Sequence, residues 1–140
     1  MKIWIIKTGE PRLEDKQFKL FRSGILAEHL SLKNQVTWFN STFLHQTKKQ
    51  RYSTTTVRYK NKIKYVYLKG GSYINNISFK RFWSQITNAI EFYLYLHRER
   101  QVKKPDVIVS SFPTIEISYI AFLYAKKNKI PFVLDVRDMW

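Results

Sequence analysis

The division of the chain into apolar runs and the more polar segments between them is clearest in its last third. Val107–Val109 and Phe132–Val136 are apolar runs rich in β-branched residues, and a proline shortly before each run disfavours a helix there. The segment between them, Thr114–Lys127, is too long and too continuous for a strand. It follows Pro113, which suits the start of a helix, and it ends in lysines that favour the negative end of the helix dipole, with Asn128 suited to a left-handed cap. This pattern predicts a strand, a crossover helix and a second, parallel strand.

The first two thirds of the chain continue this alternation of strands and helices. Ile3–Ile6 and Gln35–Asn40 are predicted strands, and Ile63–Leu68 is a third, joined to Thr55–Val57 by a hairpin turn at Arg58–Lys62. The strands of the last third do not alternate apolar with polar residues, so both faces of their sheet should be covered. We therefore predict a three-layer α/β domain with a mainly parallel sheet in the order 3-2-1-4-5, the hairpin at one edge, and ligands beyond the carboxyl ends of the strands.

A further helix is predicted between the first two strands. Glu14 and Asp15 would supply negative charge to its positive end. Gly24 in its interior costs about 1 kcal/mol relative to alanine, which a close approach to the sheet would explain. Its buried apolar side is expected to consist of Phe18, Phe21, Ile25 and either Leu26 or Leu30.

Another helix is predicted to begin after Ser78, which can cap its first turn. Apolar residues recur at helical spacing along one side as far as Arg98, and we expect that side to face the core. His97 on the same side fits a packed or hydrogen-bonded position at the edge of the core better than a ligand position. The members of this side are Phe79, Phe82, Trp83, Ile86, Ile90, Tyr93, Leu94 and His97.

The composition argues against several classes of function. The 140 residues suffice for one domain with a core. The absence of cysteine excludes disulfides and thiolate chemistry, and the three widely separated histidines have no metal-ligand spacing, so no metal site is expected. No GxGxxG follows the first strand, so the fingerprint of nicotinamide and flavin sites is missing. No apolar stretch is long enough to span a membrane, and we expect a cytoplasmic protein.

The positive charge is concentrated in the middle of the chain. The net charge is +15, and residues 45 to 104 hold 14 lysines and arginines but only 2 acidic residues. Such a region suits a polyanionic partner, namely nucleic acid, a phosphate-bearing substrate or an anionic lipid surface, or else it forms a solvated surface. Within it, the polar connection Ser41–Thr56 is unusually long. Four of its side chains either converge on phosphate oxygens or belong to a solvated loop: His45, Lys48, Lys49 and Arg51.

The final stretch KPDVIVSSFPTIEISYIAFLYAKKNKIPFVLDVRDMW resembles the segment of family-4, GT-B-fold glycosyltransferases that ends in an R-D-x-W-P motif. The opening MKIWIIKTGEP and the segments FRSGILAEHL and VTWFNSTFLHQTKKQRY look similar to the same group. The bacterial members that it most resembles build O-antigen or capsular polysaccharide. The T-G-E-P turn and the ending are the most specific parts of the resemblance.

The resemblance implies half of a two-domain architecture. In such enzymes two Rossmann-like domains face each other, the N-terminal domain receives the acceptor, and the C-terminal domain holds the nucleotide-sugar donor. The sugar is transferred with retention and without a metal. Residues 1–140 would form the acceptor-side domain alone, truncated after the R-D-x-W motif. The donor domain, with the E-x7-E element of its donor site, would then lie outside these 140 residues. We therefore expect this chain to hold no cofactor and to be inactive by itself.

The resemblance also implies which residues bind the substrate. The matching positions are Thr8, Gly9, Glu10 and Pro11 after the first strand, Ser111 and Thr114 after the fourth, and Arg137 and Asp138 at the end. Arg137 offers a fork of donors for phosphate or carboxylate, or else forms a structural ion pair with Asp138 or Asp135.

The sequence departs from the family pattern at two positions. Glu14-Asp15-Lys16 stands where many relatives have a glycine pair, and Ser111-Phe112-Pro113 stands where many have a histidine. These departures leave the catalytic residues unassigned.

A lipid-linked glycan acceptor would bring the protein to the inner face of a membrane. Lys48, Lys49 and Arg51 are then expected to contact the anionic acceptor or the lipid. Tyr52, Tyr59, Phe79 and Phe82 would lie at the headgroups where they are exposed. Two alternative functions are a basic α/β module that binds nucleic acid and a small flavodoxin-like binding domain. No recognised nucleic-acid-binding motif is present, so we expect no nucleic-acid partner.

Overall fold

The computed structural model describes residues 1–11, 15, 19–75, 78–98 and 103–137. The strands within these ranges are β1 (Lys2–Ile6), β2 (Gln35–Ser41), β3 (Phe43–Leu44), β4 (Lys49–Gln50), β5 (Thr56–Lys60), β6 (Ile63–Leu68), β7 (Val107–Ser111) and β8 (Phe132–Asp135). The helices are α1 (Arg22–Ser31), α2 (Phe79–Arg98) and α3 (Ile115–Asn128).

The main sheet has six strands in the order β5-β6-β2-β1-β7-β8. All its neighbouring strands are parallel except β5 and β6, which form an antiparallel hairpin at one edge. This arrangement confirms the predicted order of the five parallel strands and the edge hairpin. The predicted pairing of the last two strands is also confirmed, with Ile108 beside Phe132. The long connection after β2 contains a separate two-stranded hairpin of β3 and β4.

Helices cover both faces of the sheet and give the Rossmann-like three-layer fold. Successive side chains of a strand point to opposite faces. On β1, Ile3 and Ile5 therefore face α1, where they pack with Trp38, Tyr65 and Ala27. The other face packs against α2 and α3, and its buried residues are Trp4, Ile6, Phe39, Val66, Leu68, Ala89, Phe92, Tyr95, Ile108, Ile117, Ala121 and Ala125.

Aromatic rings form the centre of the α2–α3 layer. Trp4 stacks on Tyr124 of α3 with ring centroids 5.4 Å apart. Phe39 meets Phe92 of α2 edge to face at 4.9 Å. Edge-to-face and offset stacked pairs contribute about 0.5–1.5 kcal/mol beyond burial of their area. These contacts fix both helices on the central strands.

The predicted inner side of α2 is wrong. Phe79, Phe82, Trp83, Ile90, Tyr93 and His97 are exposed, and Ile86 and Leu94 are only partly buried. The helix turns Ser84, Asn88, Ala89, Phe92 and Tyr95 to the protein instead. Small side chains at three of these positions let α2 lie close to the sheet, so the bulkier apolar side remains outside. His97 is hydrogen-bonded, as Nδ1 lies 2.7 Å from the carbonyl of Tyr93, but it is not at the edge of the core.

The prediction for α1 is wrong in its start and in its buried side. The helix begins at Arg22, and its buried positions are Ser23, Gly24, Ala27 and Ser31, whereas Phe21 and Ile25 are exposed. Leu26 and Leu30 pack partly against the core. The close neighbour of Gly24 is not the sheet, because an added Cβ would lie 2.9 Å from Cδ2 of Leu20. The predicted roles of Glu14 and Phe18 lie outside the described residues.

Two turns differ in detail from the predictions. The β5–β6 turn is tighter than expected, since β5 runs to Lys60 and only Asn61 and Lys62 form the turn, both with positive φ. Two consecutive positive φ values are typical of the type I′ turn, whose twist matches that of the strands. At the end of α3, Lys129 adopts the left-handed cap (φ 56°) in place of Asn128. The amide of Asn128 instead donates a hydrogen bond to the carbonyl of Tyr124 at 2.8 Å.

The observed orientation of α2 predicts very different costs for two adjacent substitutions. Phe92 is fully buried, and Phe92→Ala is expected to lower the free energy of unfolding by about 3–5 kcal/mol. Tyr93 is half exposed, so Tyr93→Ala should cost about 1 kcal/mol or less. Urea unfolding of the two variants measures the difference. Equal costs, or a larger cost at Tyr93, would contradict this orientation.

Candidate functional site

A cavity of about 280 Å³ opens at the carboxyl ends of β1, β2 and β7. In parallel sheets this edge is where ligands bind, because loops from several strands converge there. The cavity is closed on one side by the first turns of α2. Its walls comprise Lys7, Thr8, Gly9, Glu10, Phe21, Ser41, Phe43, His45, Gln46, Tyr73, Arg81, Ser84, Gln85, Asn88, Pro113, Thr114 and Arg137.

The loop after β1 is held in place by Asn40, a buried residue of β2. Its Oδ1 accepts a hydrogen bond from the backbone N–H of Gly9 at 2.9 Å, and its Nδ2 donates to the carbonyl of Glu10 at 3.0 Å. Gly9 has φ +78°, a conformation that favours glycine, and Gln46 donates to its carbonyl at 3.0 Å. Pro11 is buried behind the loop. Thr8, Gly9 and Glu10 thus form a wall of the cavity that Asn40 and Gln46 hold in place, whereas Pro11 is buried and does not line it.

Arg137 joins four parts of the fold beneath this wall. Its guanidinium pairs with Glu10 of the first loop and with Asp135 of β8, the latter at 2.9 Å. The same group donates to Ser23 of α1 at 2.6 Å and to Ser111 of β7 at 3.2 Å. The sequence predicts that Arg137 either binds phosphate or carboxylate of a ligand or forms a structural ion pair. The described residues show the ion pair with Asp135, and the guanidinium donates to groups of the protein.

The pKa values of this ion-pair cluster favour its charged form. Burial alone would raise the pKa of Asp135, but hydrogen bonds and charge from Arg137 and Arg22 outweigh burial and hold that pKa below its ordinary value. Burial alone would lower the pKa of Arg137, but the hydrogen bond to Asp135 and the charge of Glu10 outweigh it and raise that pKa. Asp135 and Arg137 therefore stay ionised across the neutral range.

The end of β7 and the loop after it contribute two buried hydroxyl groups. Ser111 donates from Oγ to Asp135 at 3.2 Å. Thr114 donates to the carbonyl of Ser111 at 3.3 Å, and its own carbonyl accepts from Ser118 at 2.7 Å. Ser111 thus belongs to the Arg137 cluster, whereas Thr114 lines the cavity beside Pro113.

A second polar cluster is formed by His45, Lys48, Tyr73 and Arg81. Three of its side chains line the cavity, whereas Lys48 lines a neighbouring groove beside Tyr73. Nδ1 of His45 lies 2.8 Å from the hydroxyl of Tyr73 and 3.2 Å from Nζ of Lys48. Nζ of Lys48 also lies 4.8 Å from the centre of the Tyr73 ring. A lysine ammonium can only donate, so Nδ1 of neutral His45 is an acceptor and the ring proton lies on Nε2.

Burial, together with the positive charges of Lys48 and Arg81 in this cluster, lowers the pKa of His45 and keeps it neutral at pH 7. Burial and Arg81 also lower the pKa of Lys48. Burial raises the pKa of Tyr73, against the opposing charge of Arg81. The cluster therefore presents a neutral imidazole and a protonated phenol between two basic side chains.

The three basic residues predicted to meet an anionic partner do not form one group. Lys48 belongs to the second cluster, and Lys49 is exposed on β4. Arg51 forms a largely buried ion pair with Asp15, so its charge is matched within the protein. Asp138, the remaining predicted site residue, lies outside the described residues.

Sequence reasoning missed Tyr73, Arg81 and Asn88 as site residues. Tyr73 follows a glycine pair in a loop. Arg81 lies in the basic middle of the chain and Asn88 in the predicted helix after Ser78, and neither pattern indicates a site. Gly70 in the sequence could have indicated this close packing, because a Cβ added there would lie 2.7 Å from Nδ2 of Asn88 and 2.8 Å from Oγ of Ser41. A glycine at that point is needed for the close approach of α2 to the end of β2.

Three side chains of the cavity wall carry a buried oxygen with no hydrogen-bond partner among the described residues. They are Oε2 of Glu10, Oε1 of Gln46 and Oδ1 of Asn88. Glu10 is only 4% exposed. Buried acceptors without donors are costly and uncommon in folded proteins, and these three belong to side chains that line one cavity.

No model of a known protein family matches the chain, and no curated protein matches it significantly. Among the described residues, no group of three or more histidine, aspartate or glutamate side chains is placed to hold a metal ion.

The lowered pKa of Asp135 predicts how stability depends on pH. The ionised carboxylate stabilises the fold above the ordinary aspartate pKa of about 3.9, and this contribution is lost as the pH falls through the lower folded pKa. Asp135→Asn should therefore lower the free energy of unfolding by about 1.5–3 kcal/mol at pH 7 and flatten its decline below pH 5. Urea unfolding at several pH values measures both effects.

The matched control for this prediction is Glu28→Gln, which removes a carboxylate from an exposed position of α1. It should leave both the stability at pH 7 and the acid profile close to those of the parent protein. An acid profile of Asp135→Asn that parallels the parent profile would contradict the assigned ion pairs.

Proposed function

We propose that this chain is the acceptor-binding domain of a nucleotide-sugar-dependent, retaining glycosyltransferase of surface-polysaccharide biosynthesis. The observation that carries the proposal is one cavity at the ligand-binding edge of the sheet, whose wall includes Glu10, Gln46 and Asn88, each with an acceptor oxygen that has no partner among the described residues. Sugar hydroxyls are donors of the kind that these oxygens lack. The resemblance of the T-G-E-P loop and the final segment to family-4 glycosyltransferases supports the same reading.

A second part of the wall suits the linkage of a lipid-linked sugar. Arg81 lines the cavity there with positive charge, and Lys48 adds charge beside it, with its Nζ 3.2 Å from Nδ1 of His45. Charged donors bind phosphate oxygens with short, strong hydrogen bonds. A glycan joined to a diphosphate would therefore place its sugar against Glu10 and its diphosphate against the second cluster.

In this proposal the domain binds the acceptor but does not complete the chemistry. Glycosyl transfer requires the donor and the acceptor to be held in one geometry, and the donor site is expected in a second α/β domain. Arg137 contributes by position: it fixes Glu10 and the ends of β7 and β8, so that the acceptor hydroxyl meets a rigid wall.

Binding of a farnesyl-diphosphate-linked N-acetylglucosamine tests the proposal. The amide signals of Gly9, His45 and Gly70 should shift on titration in heteronuclear NMR spectra, and the composite ligand should bind more tightly than N-acetylglucosamine or pyrophosphate alone. Arg81→Gln should weaken binding about tenfold or more, because it removes a charged donor. Arg58→Gln, on the edge hairpin, is the matched control and should leave the affinity unchanged.

The same samples test the expected division of roles. UDP-, dTDP- or GDP-sugars should shift the cavity signals less than the lipid-linked sugar diphosphate does, and no nucleoside diphosphate should be released above a boiled control. Release of nucleoside diphosphate, or the absence of any shift at the cavity with the sugar diphosphate, would contradict the proposal.

A further inference from the structure

The outer side of α2 carries a continuous apolar stripe. Its members stand three or four residues apart, which places them on one side of the helix over about 21 Å at 1.5 Å per residue. Trp83 is 58% exposed and Phe79 78% exposed, although apolar side chains of this size are usually buried. The stripe consists of Phe79, Phe82, Trp83, Ile86, Ile90 and Tyr93.

Positive charge borders this stripe. Lys80 and Arg98 are both exposed and stand eighteen residues apart, which is five helical turns, so they lie on one line at the two ends of the helix. Beyond the N-terminus of the helix, Lys48 and Lys80 line one surface groove with the exposed Ile74 and with Phe79. Glu91, the one acidic residue of α2, accepts a hydrogen bond from Thr55 at 2.7 Å.

We propose that this side of α2 docks the protein on an anionic lipid bilayer. Helices that lie in a membrane interface combine a stripe of Trp, Phe and aliphatic residues with bordering lysines and arginines, and they bury the apolar stripe at the boundary of headgroups and acyl chains. No helix within the described ranges is long and apolar enough to cross a membrane, so contact through α2 would be peripheral.

The charge of the chain decides between lipid and a second copy of the protein as the occupant. Two copies facing each other across α2 would bring Lys80 and Arg98 of each together, and each chain has a net charge of +15. Such like charges repel, whereas anionic headgroups complement them. The proposal stands apart from the glycosyltransferase assignment, because it uses the outer side of α2 and not the cavity.

Sedimentation with lipid vesicles tests the proposal. The 140-residue protein should bind vesicles of phosphatidylcholine with one-third phosphatidylglycerol at low salt. It should bind more weakly to pure phosphatidylcholine, and more weakly at about 1 M salt, where screening acts within about 3 Å. The double variant Phe79→Gln with Trp83→Gln should bind at least about tenfold more weakly, because two large rings no longer leave water.

Two further variants separate the contributions of charge and apolar contact. Lys80→Glu with Arg98→Glu should weaken binding to anionic vesicles by about fivefold or more for each charge and hardly change binding to neutral ones. The matched control is Leu32→Gln with Tyr59→Gln, which removes two equally exposed apolar side chains outside α2 and should bind like the parent protein. Urea unfolding confirms that each variant is folded.

The fluorescence of Trp83 reports insertion directly. Trp4 and Trp38 are buried in the core, and a Trp140→Phe background removes the fourth tryptophan. The emission of Trp83 should shift to shorter wavelength on anionic vesicles and should be quenched by brominated acyl chains. Absence of binding at low salt, binding without this shift, or binding unaffected by the Phe79 and Trp83 substitutions would overturn the proposal. Light scattering that shows a dimer of the parent protein, converted to monomer by those substitutions, would overturn it in favour of self-association.

Discussion

The guanidinium of Arg137 is the interaction on which the architecture of the site depends. It binds the first loop through Glu10, α1 through Ser23, β7 through Ser111 and β8 through Asp135. A planar guanidinium presents five N–H donors in a fixed fork, whereas a lysine ammonium has three donors on a single nitrogen. One side chain near the end of the chain thus fixes elements that are distant in sequence. The constraint also leaves the second oxygen of Glu10 unpartnered among the described residues, where the cavity begins.

The two sides of α2 belong to two different surfaces of the protein. Ser84 and Asn88 pack against the ends of the strands and close the cavity, whereas Trp83 and its apolar neighbours point outward. If both proposals hold, a lipid-linked ligand bound in the cavity would lie one helix away from the bilayer that carries its tail. A single helix would then set the distance between the membrane surface and the ligand.

The sequence predicts the fold well because the strands are short apolar runs with clear boundaries. Pro105 and Pro131 mark the starts of β7 and β8, and the helix between them is long enough to require a parallel crossover. The edge of the sheet that carries the site follows from that topology alone. The same topology predicts that Gly9, Glu10, Thr114 and Arg137 lie near one another, and all four line the cavity. Local patterns suffice for these features, because each depends on residues close together in the chain.

Features that depend on tertiary packing are not readable from local patterns. The strongest apolar side of α2 was expected to face the core, but Ser84, Asn88 and Ala89 allow a closer approach, and packing rather than hydrophobicity selects the buried side. The sequence predicts that Asp15 supplies negative charge to the positive end of a helix, yet Asp15 forms an ion pair with Arg51, 36 residues away. The gathering of His45, Tyr73 and Arg81 likewise joins three separate segments.

A crystal structure of the protein soaked with N-acetylglucosamine 1-phosphate tests the central claim most directly. That claim is that side-chain oxygens of Glu10, Gln46 and Asn88 accept hydrogen bonds from the hydroxyls of a phosphorylated sugar. The account predicts hydrogen bonds from the sugar to Glu10, Gln46 and Asn88, with the phosphate within reach of Lys48 and Arg81. A cavity that holds only water while the sugar phosphate binds elsewhere, or a sugar bound with its hydroxyls turned away from these three side chains, would contradict the account.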